Sequence, residues 1–143
     1  MRSLTTVLFL IAAGLFGGCR APASNLDTPP PAGTVRGAVN NIEPAEALPR
    51  IEAAYVQFVD VRTPEEYAAG HAIRAINIPL AELPAKLDRL EKNEPVYLIC
   101  QTGRRSREAA EILVKNGYPW VFNVAGGTSA WESAGLPMQS PQR

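Results

Sequence analysis

Residues 96–106, with the sequence VYLICQTGRRS, combine an apolar run, a cysteine and a basic loop. The run Val96–Ile99 predicts a buried strand, and a helix is expected to begin at Ser106. Cys100 therefore lies at the carboxyl end of a strand and faces a helix N-terminus and two arginines. Both the helix dipole and nearby cations lower the pKa of a thiol. Because ligand sites in α/β sheets lie at the carboxyl ends of strands, this loop is the first candidate for a functional site.

Composition narrows the class of protein. The chain has 143 residues with 14 basic and 14 acidic side chains, enough for one domain of roughly a hundred residues after an N-terminal segment. Balanced charge argues against a nucleic-acid partner, which usually needs a basic excess or patch. The single histidine, His71, excludes a multi-histidine metal site. The two cysteines, Cys19 and Cys100, form no CxxC motif, which excludes a zinc ribbon and a thioredoxin-type dithiol.

The N-terminus resembles a bacterial export signal. Arg2 precedes the mostly apolar residues 4–16, a run shorter than the roughly 20 residues of a membrane-spanning helix. Residues 15–19, LFGGC, are similar to a lipobox, with Phe16 where leucine is usual. The resemblance implies that Cys19 is lipidated. The alternatives are an ordinary secretory signal or an uncleaved anchor.

A proline-rich segment follows, with prolines at 22, 29, 30 and 31, and predicts an extended tether. We predict a signal peptide at 1–18, a lipidated cysteine and tether at 19–39, a domain at 40–138 and a tail at 139–143. The protein is expected to be exported and held by lipid on the periplasmic side of a membrane. In a bacterium with two membranes, the absence of Asp at position 20 resembles the sorting default for the outer membrane. Cys100 would then be the one free thiol of the mature chain. Exported proteins usually pair their cysteines, so a lone thiol indicates a residue kept for its reactivity rather than for packing.

Strand and helix patterns alternate along the rest of the chain. Strands are predicted at 55–62, 75–78, 96–99 and 121–124, and helices at 64–69, 83–90, 106–116 and 128–134. Thr63, Pro64 and Glu66 predict a capped helix start, and a short helix entry at 43–48 is interrupted by Pro49. The alternation predicts an α/β fold with a central, mostly parallel β-sheet and helices on both faces.

The loop after Cys100 is suited to an anion. Its backbone N–H groups and the following helix N-terminus form a nest for negative charge, and Gly103 can adopt a positive φ. We expect Ser106 to cap the helix, and one of the two arginines to face the site while the other serves the surface or a salt bridge. The alternative is a buried, unreactive cysteine, which is common at strand ends. The Gly-Arg-Arg-Ser sequence favours the reactive cysteine.

Four motifs resemble those of single-domain rhodaneses and occur in the family's order. They are VDVRTPEEY at 59–67, GHAIRAINIP at 70–79, CQTGRRS at 100–106, and GGTSAW at 126–131 followed by GLP at 135–137. The resemblance covers residues 40–138. Two positions depart from it: residues 72–75 are AIRA where the family commonly has Ile-Pro-Gly-Ala, and Gln101 stands where arginine is frequent.

The resemblance implies a rhodanese-like fold and a thiosulfate sulfurtransferase. Cys100 would be catalytic and carry sulfur as a persulfide from a small anionic donor to a thiol, sulfite or cyanide acceptor, in covalent, ping-pong catalysis. The implied substrate-binding residues are those of the loop, namely Gln101, Thr102, Gly103, Arg104 and Arg105. Asp60, Arg62 and Ser106 would give structural support, and His71 would be structural too. Neither a metal nor an organic cofactor is implied.

Two other classes of function compete with this one. A cysteine phosphatase or arsenate reductase resembles Cys-x5-Arg, in which an arginine six residues after the cysteine clamps an oxyanion. Here Ser106 occupies that position and Arg105 comes one residue too early. The other competitor is a membrane-tethered module that carries the persulfide to a protein partner or only docks to one. The presence of the cysteine favours activity, because inactive rhodanese-like domains generally lack it.

Overall fold

Residues Val96–Ile99 form the middle strand of a five-stranded sheet in the computed structural model, which describes residues 30–53 and 56–140. The sheet has the order β1-β6-β5-β2-β4, and all its pairs are parallel; its strands are β1 (Val39–Ile42), β2 (Gln57–Asp60), β4 (Ile76–Asn77), β5 (Val96–Ile99) and β6 (Val121–Val124). A separate antiparallel pair joins β3 (His71–Ala72) to β7 (Met138–Gln139). The predicted α/β fold with a mostly parallel sheet is confirmed.

Helices cover both faces of the sheet, as predicted. They are α1 (Pro44–Ala53), α2 (Pro64–Ala69), α3 (Arg104–Lys115) and α4 (Gly127–Ser133). The side chains of α3 pack with Val59, Val96 and Leu98 on one face. Those of α1 and α4 pack with Phe58, Tyr97 and Phe122 on the other. Neighbouring residues of β2 and β5 thus point to opposite faces, the period of two that a strand buried on both sides requires.

The predicted start of α2 is confirmed. The Thr63 hydroxyl accepts the backbone N–H of Glu66 at 3.3 Å, and the Glu66 carboxylate accepts that of Thr63 at 3.0 Å. This reciprocal pair is the capping box that the sequence predicts.

Two predicted helices differ in the structure. The segment 83–90 forms two 3₁₀ helices, Leu83–Ala85 and Leu87–Arg89, in place of one amphipathic α-helix. Pro84 has no N–H to donate to the previous turn, and Leu83 and Leu90 still reach the core, so the leucine spacing indicated burial and not the helix type. Helix α1 continues through Pro49 to Ala53, because the burial of Ala47 and Ile51 outweighs one lost hydrogen bond.

Strand β1 and the β3–β7 pair were not predicted. Strand β1 begins at Val39, in the last residue of the predicted tether, and the Gly37 N–H donates to the Pro119 carbonyl at 2.8 Å. Two-residue strands such as β3 and β7 carry too few side chains to show a period. Residues 1–29, including Cys19, and residues 141–143 lie outside the described residues, so the predicted signal peptide, lipidation and most of the tether remain predictions.

Candidate active site

Cys100 follows β5 directly and lies where the carboxyl ends of three neighbouring strands meet. Its side chain is buried, with 1% of the residue exposed. The Gly103 N–H donates to Cys100 Sγ at 3.2 Å, and the Ser106 hydroxyl lies 3.3 Å from the same sulfur. Gly103 has φ +91°, as predicted, and an added Cβ there would lie 3.2 Å from the Gly126 nitrogen. The loop therefore turns its backbone donors inward onto the sulfur.

The surroundings of Cys100 favour the thiolate. Burial of the sulfur raises the pKa of Cys100, but hydrogen bonds from the Ser106 hydroxyl and from the backbone N–H groups of Ser106, Thr102 and Gly103 outweigh it. The pKa therefore lies below the ordinary value for a thiol. Backbone donors are fixed by the fold and need no rearrangement to stabilise negative charge.

The first residues of α4 bind the backbone of the Cys100 loop. The N–H groups of Thr128 and Ser129 donate to the carbonyl oxygens of Cys100 and Gln101 at 2.8 and 3.1 Å. Gly127 lies so close that an added Cβ would be 2.1 Å from the Cys100 oxygen. The sequence predicts a turn at 126–127 and a helix capped by Thr128. In the structure the cap is Gly126, and Thr128 is buried against the loop. The adjacent glycines were the available signal of this close approach.

The Gln101 side chain is held by its neighbours. Its amide nitrogen donates to the Ser129 hydroxyl at 2.9 Å. Its amide oxygen accepts from the Thr128 hydroxyl at 3.2 Å and from Arg62 Nη1 at 3.3 Å. Gln101 was predicted to bind substrate, and the structure places it as a link between the loop, α4 and the end of β2.

Asp60 and Arg62 form a buried pair beside the loop. Arg62 Nη2 lies 2.8 Å from Asp60 Oδ2, with Asp60 fully buried and Arg62 5% exposed. The same Nη2 donates to the Gly70 carbonyl at 2.7 Å. Through Gln101 the pair connects β2 to the loop, and the structural role of Asp60 and Arg62 stays a prediction. Two charges buried this deeply hold their geometry because separating them would leave each charge without its opposite charge.

The two loop arginines differ in their contacts, and only the expected salt bridge is seen. Arg105 makes two hydrogen bonds to the Glu66 carboxylate, at 2.7 and 2.8 Å. These bonds, with the Thr63 N–H, outweigh desolvation and lower the pKa of Glu66 to about 2. Arg104 is exposed, and among residues 30–53 and 56–140 no hydrogen bond or ion pair involves its side chain. Thr102, in the same loop, is exposed too.

Ser106 does not cap α3, so that prediction is wrong. The helix begins at Arg104 after Gly103, which takes the N-cap position without a side-chain bond. Ser106 therefore lies inside the first turn, where its buried hydroxyl faces Cys100 and also donates to Asn123 Oδ1 at 2.6 Å. Asn123, in β6 and 4% exposed, was not predicted as part of the site. A polar residue inside the apolar strand VFNV was the signal for it.

His71 lies in a contact of its own with Tyr67. His71 Nδ1 lies 2.9 Å from the Tyr67 carbonyl oxygen, and its ring stacks on that of Tyr67 with centroids 3.7 Å apart. In the part of the chain that the structure describes, no three His, Cys, Asp or Glu side chains lie close enough to hold a metal ion. No helix in those ranges has the length and apolar character needed to cross a bilayer.

Comparisons with known proteins agree on one family. The model of the rhodanese-like domain matches residues 43–134. Thiosulfate sulfurtransferase GlpE of Actinobacillus pleuropneumoniae is 34% identical over 99 residues, which cover 69% of this chain and 92% of GlpE. The protein YqhL of Bacillus subtilis is 43% identical over 75 residues, covering 52% of this chain and 60% of YqhL. A rhodanese-related crystal structure from Thermoplasma volcanium has a TM-score of 0.65 and 34% identity, covering 71% of this chain and 99% of that one.

Proposed function

The chain belongs to the rhodanese-like domain family, which includes sulfurtransferases, and on that premise we propose that it moves sulfane sulfur as a persulfide on Cys100. One observation carries the proposal. Cys100 Sγ lies in a short loop and accepts the Gly103 N–H at 3.2 Å, with the Ser106 hydroxyl at 3.3 Å. Donors around the sulfur suit both a thiolate and the anionic sulfur atom that would be attached to it.

Thiosulfate is the proposed donor, and the reaction has two displacements. The Cys100 thiolate attacks the outer sulfur of thiosulfate, the S–S bond of the donor breaks, and sulfite leaves with the electron pair. The protein then holds a Cys100 persulfide with its charge on the outer sulfur. A thiolate, sulfite or cyanide acceptor attacks that sulfur, and Cys100 leaves again as a thiolate. No net oxidation of the protein occurs, and the order of steps is ping-pong.

Arg104 is the loop cation proposed to attract the donor. Arg105 already pairs with Glu66, and Arg62 already pairs with Asp60. Arg104 is exposed beside the loop and makes no such pair with a described residue. An exposed cation raises the local concentration of a doubly charged anion without fixing its orientation.

The contacts of Arg105 argue against a phosphatase or arsenate reductase. A tetrahedral oxyanion would need an arginine fork aimed into the loop. Here both terminal nitrogens of Arg105 bind Glu66, and Ser106 at the clamp position is buried against Cys100. Transfer to a protein acceptor remains the second candidate, since it would use the same Cys100 persulfide.

We also propose that the chain is exported and held on the periplasmic side of a membrane by lipid on Cys19. The support is the apolar segment and the LFGGC sequence at 15–19. Cys19→Ala should release the protein from the membrane fraction. Recovery of the unaltered protein in the soluble periplasmic fraction would contradict this proposal.

Sulfur transfer is tested by one pair of assays. The protein is incubated with thiosulfate, its intact mass is measured for one added sulfur atom, and thiocyanate is followed after addition of cyanide. We expect an adduct of about 32 Da, which is the mass of one sulfur atom, and turnover that follows ping-pong kinetics. Cys100→Ser should abolish both, and Ser140→Ala, a change at an exposed residue outside the Cys100 loop, serves as the control. A native protein that forms neither adduct nor thiocyanate would overturn the proposal.

A further inference from the structure

We propose that Asn123 is a positioning residue that competes with Cys100 for the single hydroxyl proton of Ser106. The inference rests on the proposed function, since it concerns the same cysteine. It assigns a role to a side chain that lies on the neighbouring strand and makes no hydrogen bond to the sulfur itself.

The hydroxyl of Ser106 lies between two acceptors. Its oxygen is 2.6 Å from Asn123 Oδ1 and 3.3 Å from Cys100 Sγ. A serine hydroxyl has one proton, and an amide oxygen can only accept. All three residues are at least 96% buried, and Asn123 Oδ1 accepts no other hydrogen bond from a described residue. Ser106 therefore donates either to Asn123 or to the sulfur.

A neighbouring strand fixes the orientation of the Asn123 amide. Asn123 Nδ2 donates to Asn41 Oδ1 at 3.0 Å, and the two residues are register partners in the parallel pair β1–β6. This bond turns the amide oxygen of Asn123 toward Ser106. The resulting chain of polar groups runs from the exposed Asn41 to the buried sulfur.

The two forms of Cys100 use this chain differently. With a thiol, Ser106 donates to Asn123, and the S–H group can donate to the Ser106 oxygen. With a thiolate, the Ser106 hydroxyl has to turn toward the sulfur, which leaves the buried Asn123 oxygen without a donor. A buried acceptor without a partner is unfavourable, so Asn123 opposes ionisation of Cys100. The backbone N–H groups act in the other direction and do not depend on Asn123.

The persulfide relieves this competition. Its charge lies on the outer sulfur, and the inner sulfur, bonded to two atoms, is a weak acceptor. The hydroxyl proton of Ser106 then returns to Asn123. Asn123 thus disfavours the free thiolate relative to the sulfur-loaded form.

Among the described residues, the Asn123 side chain bonds only Ser106 and Asn41, and none of the charged groups around Cys100. The end of β2 contributes the Asp60–Arg62 pair, and the start of α3 contributes Arg104 and Arg105, the latter paired with Glu66 of α2. Strand β6 and the first turn of α4 carry no ionisable side chain. A shift in the titration of Cys100 on changing Asn123 would therefore come through Ser106.

The test is a thiolate titration by absorbance at 240 nm. It uses the full chain with Cys19→Ala, so that Cys100 is the only thiol, and the same chain with Cys100→Ser as the blank. Asn123→Val should lower the apparent pKa by about one unit, the equivalent of one hydrogen bond to a charged acceptor. Ser106→Ala should raise it, and the double variant should match Ser106→Ala alone. An unchanged or raised value for Asn123→Val, or a double variant below Ser106→Ala, would overturn the proposal.

A second substitution covers the case in which Asn123→Val does not fold. Asn123→Asp keeps an acceptor facing Ser106 and should raise the apparent pKa more when Ser106 is present than in the Ser106→Ala background. If Asn123→Asp raised the apparent pKa equally in both backgrounds, the added negative charge alone would explain the rise. That result would reject the competition for the Ser106 proton. Because the titration uses no sulfur donor, its outcome is independent of whether the protein forms a persulfide.

Discussion

Replacing Gly127 by alanine tests how closely the start of α4 must approach the Cys100 loop. Gly127 has φ +59°, and an added Cβ would lie 2.1 Å from the Cys100 carbonyl oxygen and 2.7 Å from the Gln101 carbonyl carbon. Separations below 3.0 Å are not tolerated, so the carbonyl group must move by about 0.9 Å. The movement pulls both loop carbonyls from the N–H groups of Thr128 and Ser129.

The magnitude follows from these contacts. The left-handed conformation costs an alanine roughly 1–2 kcal/mol, and each weakened hydrogen bond contributes about 1 kcal/mol, so we expect a destabilisation of about 3–4 kcal/mol. Displacing a reacting group by about 1 Å lowers rates by roughly 100-fold. The free energy of unfolding is measured in urea, and sulfur transfer by thiocyanate formation.

Gly135→Ala is the matched control. Gly135 also has a positive φ, +68°, but an added Cβ there meets no atom within 4 Å. It should therefore lose only the conformational component, about 1–2 kcal/mol, and keep full sulfur transfer. If the two variants had equal stability and equal activity, the claim that α4 positions the loop by close contact would be refuted.

Three further predictions concern charged side chains. Glu66 has a folded-state pKa of about 2, below its ordinary 4.5, so its pairing with Arg105 stabilises the protein above pH 4.5 and this contribution is lost as the pH falls toward 2. Urea unfolding of Glu66→Gln should lack this acid-dependent loss, which is at most about 1 kcal/mol because the pair is partly exposed; an identical pH profile would contradict it. Arg74 has φ +67° and donates to the last carbonyls of α1, so Arg74→Ala should be less stable than Arg74→Gly by about 1 kcal/mol, and the reverse order in urea unfolding would exclude backbone strain as the cause. Arg104→Ala should raise the KM for thiosulfate about two- to fivefold at low salt with kcat unchanged, whereas Arg107→Ala, which removes a surface pair on the same helix, should leave KM unchanged; equal effects would make the role of Arg104 nonspecific.

The turn at Arg74 shows which part of a local structure a family motif can predict. The resemblance to rhodaneses indicated a departure at residues 72–75, where glycine is common and Arg74 stands instead. In the structure the backbone keeps a left-handed conformation there, and Arg74 Nη1 donates to the carbonyls of Ile51 and Glu52 at 2.6 and 3.2 Å. A side chain at position 74 strains the backbone, but the arginine also makes hydrogen bonds that glycine could not make. These hydrogen bonds depend on α1, whose carbonyl groups lie more than twenty residues earlier in the chain.

The sequence by itself determined three local features. Strand β5 ends directly before Cys100, Gly103 can adopt a positive φ, and α2 begins with a capping box. Each depends on residues within about six positions of one another, where hydrophobic period, backbone freedom and capping act locally. The alternation of strands and helices also sufficed for the α/β class, since parallel strands require crossover connections. The four motifs placed the chain among the rhodaneses, and the family match over 43–134 confirms that placement.

Only the tertiary structure decided which side chains surround Cys100. The sheet order β6-β5-β2 brings Asn123 to Ser106 and Arg62 to Gln101, across 17 and 39 residues of chain. It likewise directs Arg105 to Glu66, which leaves Arg104 as the exposed loop cation. The sequence predicts Ser106 as a helix cap because it does not show that α3 begins at Arg104. Its contact with the sulfur depends on the helix beginning two residues earlier and packing against β6, and no local pattern encodes either.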